Sequence, residues 1–177
     1  HDMVLVTDFG HGFITPAIIK FLEASGKYLA VNAQTNSNNY GYNYITKYKR
    51  TDFVSIDERE LRMPFSDNHG NIDDLIHKLK GITHAGTIQI TLGEKGSKIF
   101  SKNAIHFTPA FATSIRDSVG AGDAVLSVTA LCAYNKVAPE VISFVGNCVG
   151  ALAVQIIGNE HPVYKKDLTK FIQHFLK

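Results

Sequence analysis

The chain alternates between short, almost wholly apolar runs and longer stretches whose apolar residues return every three or four positions. Met3-Val4-Leu5-Val6 is the first run, closed by Thr7-Asp8. It predicts a strand buried on both faces, with its C-terminal end carrying an acid to a crevice. Thr15-Pro16 follows as N-cap and first helical residue, Ile18, Ile19, Phe21 and Leu22 supply a helix face, and Gly26 supplies the stop. Residues 28–31 predict a second strand, 44–48 a short helix, and 53–56 a third strand after which Asp57 opens a helical segment. Ile72, Leu75, Ile76 and Leu79 fall at helical spacing between Asn71 as cap and Gly81 as stop. Residues 87–92 predict a strand, and 98–101 with 104–107 a strand pair joined by Ser101-Lys102-Asn103. Beyond Gly120 the pattern is helical over 121–134, 139–157 and 166–177.

Strands that alternate with helices argue for an α/β fold with a mainly parallel sheet covered on both faces. Ligands in such folds bind beyond the carboxyl ends of the strands. The first strand has no earlier element to pair with it, and an inner strand with an open edge is an aggregation liability. The expectation is therefore a missing upstream region or a second copy of the chain beside that edge.

Composition narrows the function. The chain has 177 residues, 45% hydrophobic, enough for a real core but too short for two full domains, so residues 1–177 read as one partial domain. A formal net charge of +2 gives no support to a nucleic-acid partner. The densest basic run, Lys47 to Arg50, is broken by Tyr48 and reads as a solvated helix end. Cys132 and Cys148 lie in apolar helical surroundings, as buried free thiols of a cytoplasmic protein do. The apolar stretch 141–157 is interrupted by Ser143, Gly146, Asn147, Gly150 and Gln155, which argues for a buried helix and against a membrane span. The eight histidines show no zinc-ligand spacing.

The chemistry concentrates in Arg116-Asp117-Ser118-Val119-Gly120-Ala121-Gly122-Asp123-Ala124. Small residues at Gly120, Ala121 and Gly122 let a ligand approach the backbone. At the start of a helix their N–H groups form an anion hole. Asp123 in that first turn is unexpected for a site that only holds phosphate, because like charges repel. A site that transfers phosphate to an alcohol needs both the donors and a base beside the attacking hydroxyl. A dinucleotide fingerprint would need Gly or Ala where Val125 stands, and no Walker loop is present. An aspartate that merely caps a helix is the plain alternative.

Asp117-Ser118-Val119-Gly120-Ala121-Gly122-Asp123 resembles the D-[ST]-x-G-A-G-D signature of ribokinase-like (phosphofructokinase B) sugar kinases. Thr91-Leu92-Gly93-Glu94-Lys95-Gly96 resembles that family's T-x-G-x-x-G turn, at the expected spacing upstream. The resemblance implies a three-layer sandwich and MgATP-dependent phosphorylation of a sugar or sugar-phosphate hydroxyl. Asp123 would be the base and Gly120 to Gly122 the hole for the phosphoryl group. Thr91, Gly93 and Gly96 would lie along ATP, with Asn147 and Gly150 at the adenine. Asp117 would support the loop, beside a monovalent cation as in some family members. The family's N-x-x-E, which arranges Mg²⁺, is replaced here by Asp57-Glu58-Arg59-Glu60, so that Asp57 and Glu60 would take that role or be an acidic first turn favoured by the helix dipole.

Family members also begin with a longer segment carrying a Gly-Gly motif, sugar-binding residues and a β lid. The chain thus corresponds to the later, nucleotide-binding part of a kinase. Asp8-Phe9-Gly10-His11-Gly12 resembles the D-[YF]-x-x-G stretch of the heptose-phosphate kinase branch, which includes enzymes fused to a nucleotidyltransferase. Asp8 would face the crevice or bond its own turn. The amide-rich stretch from Asn32 to Asn39 would line the crevice mouth or form an ordinary polar loop. A non-catalytic nucleotide-binding module, and a vitamin or nucleoside kinase of the same superfamily, are the alternatives.

Overall fold

The apolar runs become the strands of one sheet whose order in space is their order along the chain. The protein is described here from a computed structural model, which covers residues 1–112 and 114–176. Its strands are β1 (Met3–Asp8), β2 (Tyr28–Ala33), β3 (Phe53–Asp57), β4 (Thr87–Thr91), β5 (Gly96–Ser101) and β6 (Ala104–Pro109). The first four run parallel, and β5 and β6 turn back antiparallel. Helices α1 (Pro16–Ala24), α2 (Glu58–Arg62) and α3 (Ile72–Thr83) lie in the first part of the chain. Helices α4 (Ala121–Tyr134), α5 (Pro139–Ala153) and α6 (Lys165–Phe175) follow the hairpin.

Alternation along each strand sends residues to two different cores. Val6, Val31, Val54, Ile56, Ile88 and Ile90 pack with Ile19 of α1, Leu61 of α2, and Leu75, Ile76 and Leu79 of α3. Ala30 and Phe53 face the other way, onto Leu126 and Ala130 of α4. Helix α5 covers β5 and β6, and α6 packs outside α5. The arrangement is three layers, with helices on both faces of the sheet.

Several local expectations are corrected. Strand β1 is not buried on both faces: it ends the sheet, Leu5 is 38% exposed, and α4 reaches only part of it. Residues 45–47 form a single 3₁₀ turn in place of a helix over 44–48. Helix α3 runs past Gly81 and stops at His84 in the left-handed region, because Thr83 beyond the expected end is buried. Helix α5 stops at Ala153 in place of residue 157, and the chain continues through turns. The expected run of the last helix to Lys177 ends outside the described residues. Cys148 is buried and Cys132 only half-buried.

The basic run is no solvated helix end either. Lys47 Nζ lies 2.6 Å from the buried Asp8 carboxylate, and Tyr48 is fully buried.

Gln89 sits in the middle of β4 at 0% exposure, and neither polar atom of its side chain has a hydrogen-bond partner among the described residues. A buried amide left unpaired costs stability, whereas an apolar side chain of similar shape does not. Gln89→Leu is therefore expected to stabilise the fold by about 1 kcal/mol and raise the melting temperature by about 2–4 °C. An unchanged or lower melting temperature would mean that the amide is bonded after all.

Candidate active site

Three features of the backbone converge beyond the carboxyl ends of β3 and β4. The first is the start of α4. Gly120 takes φ +76°, a left-handed conformation that a side chain would strain, and a Cβ there would run into Asn159. As N-cap it has no side chain to close the helix end. Ala121 N–H bonds Ser118 O at 3.3 Å, while the N–H groups of Gly122 and Asp123 have no partner among the described residues. The space around Gly122 is open. These unpaired donors and the positive helix end suit an anion.

The second feature is the turn from β4 into β5. Gly93 and Gly96 both have positive φ, and Gly96 at +117° packs so closely on Thr108 O that no side chain fits. The third is the N-terminus of α2. Asp57 Oδ1 accepts from Glu60 N–H at 2.7 Å, and Glu60 Oε2 accepts from Asp57 N–H at 2.9 Å, a reciprocal capping box. The other Glu60 oxygen accepts from Thr35 N–H at 2.8 Å and so ties β2 to α2.

These three features surround a cleft of about 700 Å³. It is lined by Asp57, Glu60, Thr91, Gly93, Gly96, Gly120, Ala121, Gly122, Asp123, Asn147 and Gly150. Asp117, expected at the nucleotide, is not among the lining residues. Its carboxylate accepts from Val119 N–H at 2.9 Å and Gly158 N–H at 2.8 Å, and these bonds, Val119 first, hold its pKa low. It therefore braces the signature loop against the segment after α5. Both amide hydrogens of Asn147 are engaged, by Thr108 O and Pro109 O at 2.9 Å each. Only its carbonyl oxygen is left to meet a ligand.

The carboxylates carry the electrostatics. Burial raises the pKa of Asp123, which suits a proton acceptor that must not be too weak a base. Glu60 is pushed up from 4.5 to about 7, by burial first and then by the charges of Asp57 and Asp123. Acids that repel one another across a cleft fit a divalent cation that keeps several waters and takes its remaining ligands from phosphate. No group of three or more His, Cys, Asp or Glu able to cage a metal unaided occurs among the described residues.

The pH consequence for Glu60 has a definite sign. A carboxyl whose pKa is higher in the folded state binds more protons there, so its contribution to stability is lost as pH rises from about 4.5 through about 7. Glu60→Gln is expected to remove that fall, read as melting temperature against pH for both proteins. Parallel curves would show that Glu60 does not titrate in this window.

Two other expectations meet the structure differently. Asp8 does not face the cleft: its carboxylate accepts from Gly10 N–H, Tyr48 O–H and Lys47, at 2% exposure. The amide-rich stretch divides. Asn32 and Gln34 line the cleft, whereas Asn39 is buried and spends its amide on Phe9 O and Gln34 O. Phe111 and Ser55 also line the cleft without having been foreseen. Ser55 reads as an ordinary strand residue, and Phe111 stands in a connection with no periodicity to point to it.

The fold recurs in solved sugar kinases. Phosphofructokinase-2 from Escherichia coli, in complex with potassium, superposes with a TM-score of 0.80 at 14% identity, over 99% of this chain and 57% of that one. Ribokinase from Thermotoga maritima gives 0.72 at 16%, over 97% and 57%. These likenesses define the class as a ribokinase-like α/β fold. Residues 25–166 match the pfkB family carbohydrate kinases, and the chain belongs to that family. Among curated relatives, the bifunctional protein HldE of Campylobacter fetus is 28% identical over 166 residues, covering 90% of this chain and 34% of that protein. The HldE of Koribacter versatilis is 23% identical over 170 residues, covering 94% and 34%. The chain thus spans about a third of the length of these relatives. No helix among the described residues is long and apolar enough to cross a membrane.

Proposed function

We propose that this chain is the nucleotide-binding, base-bearing portion of a kinase that uses MgATP to phosphorylate a hydroxyl of a sugar or sugar phosphate. One observation carries the reading: a carboxyl with a burial-raised pKa, Asp123, sits beside unpaired N–H groups at a helix start, on a cleft large enough for a nucleotide. The nucleotide lies along Thr91, Gly93 and Gly96 with its base toward Asn147 and Gly150. The N–H groups of the Gly120–Asp123 turn receive the γ-phosphoryl oxygens. Asp123 takes the proton from the attacking hydroxyl as the new O–P bond forms. Mg²⁺, when bound, neutralises phosphate charge, and Asp57 and Glu60 are the residues that would hold it. Asp117 keeps the loop in place, and a monovalent cation beside it is part of the proposal.

The relatives named HldE point to a heptose phosphate as acceptor. Asn32 and Gln34 add polar groups to the cleft wall, which suit such a hydroxyl-rich molecule. Calorimetric titration of the chain with a non-hydrolysable ATP analogue and Mg²⁺ tests the nucleotide half. Binding in the micromolar to low-millimolar range is expected. A folded chain that binds nothing at millimolar analogue would move the non-catalytic module ahead.

A further inference from the structure

Helix α6 stands apart from the chemistry, yet its sequence is strongly two-faced. Leu168, Phe171, Ile172 and Phe175 fall at i, i+3, i+4 and i+7, one stripe of an otherwise polar helix. None of its residues is fully buried, so the helix has no core of its own. The stripe meets an aromatic group instead. Phe175 packs on Phe171 at 5.1 Å between ring centroids, on Phe111 at 4.7 Å, and more distantly on Phe144 of α5. Phe144 meets Phe111 edge-on at 5.4 Å.

Phe111 joins this group to the cleft, whose wall it forms. It lies in the connection between β6 and α4, outside any helix or strand. That connection is pinned on both sides of Phe111. Asn147 holds Thr108 O and Pro109 O before it, and Gln155 Nε2 holds Ser114 O after it. The direction of the ring is set by its contacts with Phe144 and Phe175. A flat ring on the wall of a nucleotide cleft, next to Asn147, offers a face on which a base can stack.

We infer that α6 is a positioning element of the nucleotide site: Phe175 holds the Phe111 ring as the wall for the base, so this helix tunes base affinity without touching the phosphates. The inference rests on the nucleotide reading above. Two probes separate the parts, a non-hydrolysable ATP analogue and inorganic tripolyphosphate, each titrated with Mg²⁺ into the chain. Phe175→Ala is expected to weaken the analogue about three- to tenfold, the size of a lost aromatic contact, and to leave tripolyphosphate unchanged. Phe175→Tyr is expected to match the wild type, because the ring is 44% exposed and its added hydroxyl can stay in water. Phe175→Leu keeps the apolar stripe and should show the same selective loss if the alanine variant does not fold.

An unchanged analogue affinity overturns the role of α6. An equal loss on both probes also overturns it, since that is general loosening. A folded wild type that binds neither probe removes the nucleotide reading itself, a result distinct from either.

Discussion

Asp123→Asn is expected to lower phosphoryl transfer by about 10²–10⁴-fold while leaving nucleotide affinity within a few-fold. Asparagine has nearly the same shape, so the start of α4 and its free N–H groups should persist. It has no carboxylate to take the proton of the acceptor hydroxyl. Removing a negative charge beside the phosphates cannot weaken their binding by repulsion, and this is why affinity and turnover should separate. The wild-type rate should also fall in acid, as the pH drops through the raised pKa of Asp123, and the variant should lack that limb. The measurement is steady-state turnover by the intact kinase across pH, with calorimetry for the nucleotide. Equal turnover in the variant would end the assignment of Asp123 as base.

The second large effect is structural. Asp8→Ala should destabilise the fold by about 3 kcal/mol, because it strands Lys47 and the buried Tyr48 hydroxyl without their shared acceptor. For a chain of this length that is a fall in melting temperature of about 6–12 °C. Burial alone would raise the pKa of Asp8, but the hydrogen bonds from Lys47, Tyr48 and Gly10 outweigh it and hold the value below 3.8. A carboxyl held low in the folded state contributes stability that is present above the unfolded value and lost as pH falls through the folded one. The gap between wild type and variant should therefore narrow in acid. Denaturant melts of both proteins at neutral and at acid pH would measure it, and a gap independent of pH would remove the charge from the explanation.

The strands were legible because each is short and bounded by polar punctuation, apolar throughout at Met3–Val6 and Tyr28–Val31 and alternating at Thr87–Thr91. The cleft was legible because Asp117 to Asp123 packs small residues, a helix start and an acid into seven positions. The rest depended on partners distant along the chain. Asp8 and Tyr48 are 40 residues apart, and nothing local marks either as half of a buried pair. Phe111 becomes part of the cleft only through rings on two later helices. The amides of the stretch after β2 read alike, and only their bonds separate Asn39, which supports the loop, from Asn32 and Gln34, which face the cleft.

A sheet laid down in chain order has a consequence for how the protein is made. Each strand that leaves the ribosome finds its pairing edge already formed by the strand just before it, and never has to insert between two earlier ones. Loop-closure costs between these strands stay small, and each of β2 to β6 can add to the strand before it during synthesis. The Gly120–Asp123 turn, which opens α4, then takes shape only after all six strands have been made. Translation that stops before residue 120 leaves a sheet without the Gly120–Asp123 turn.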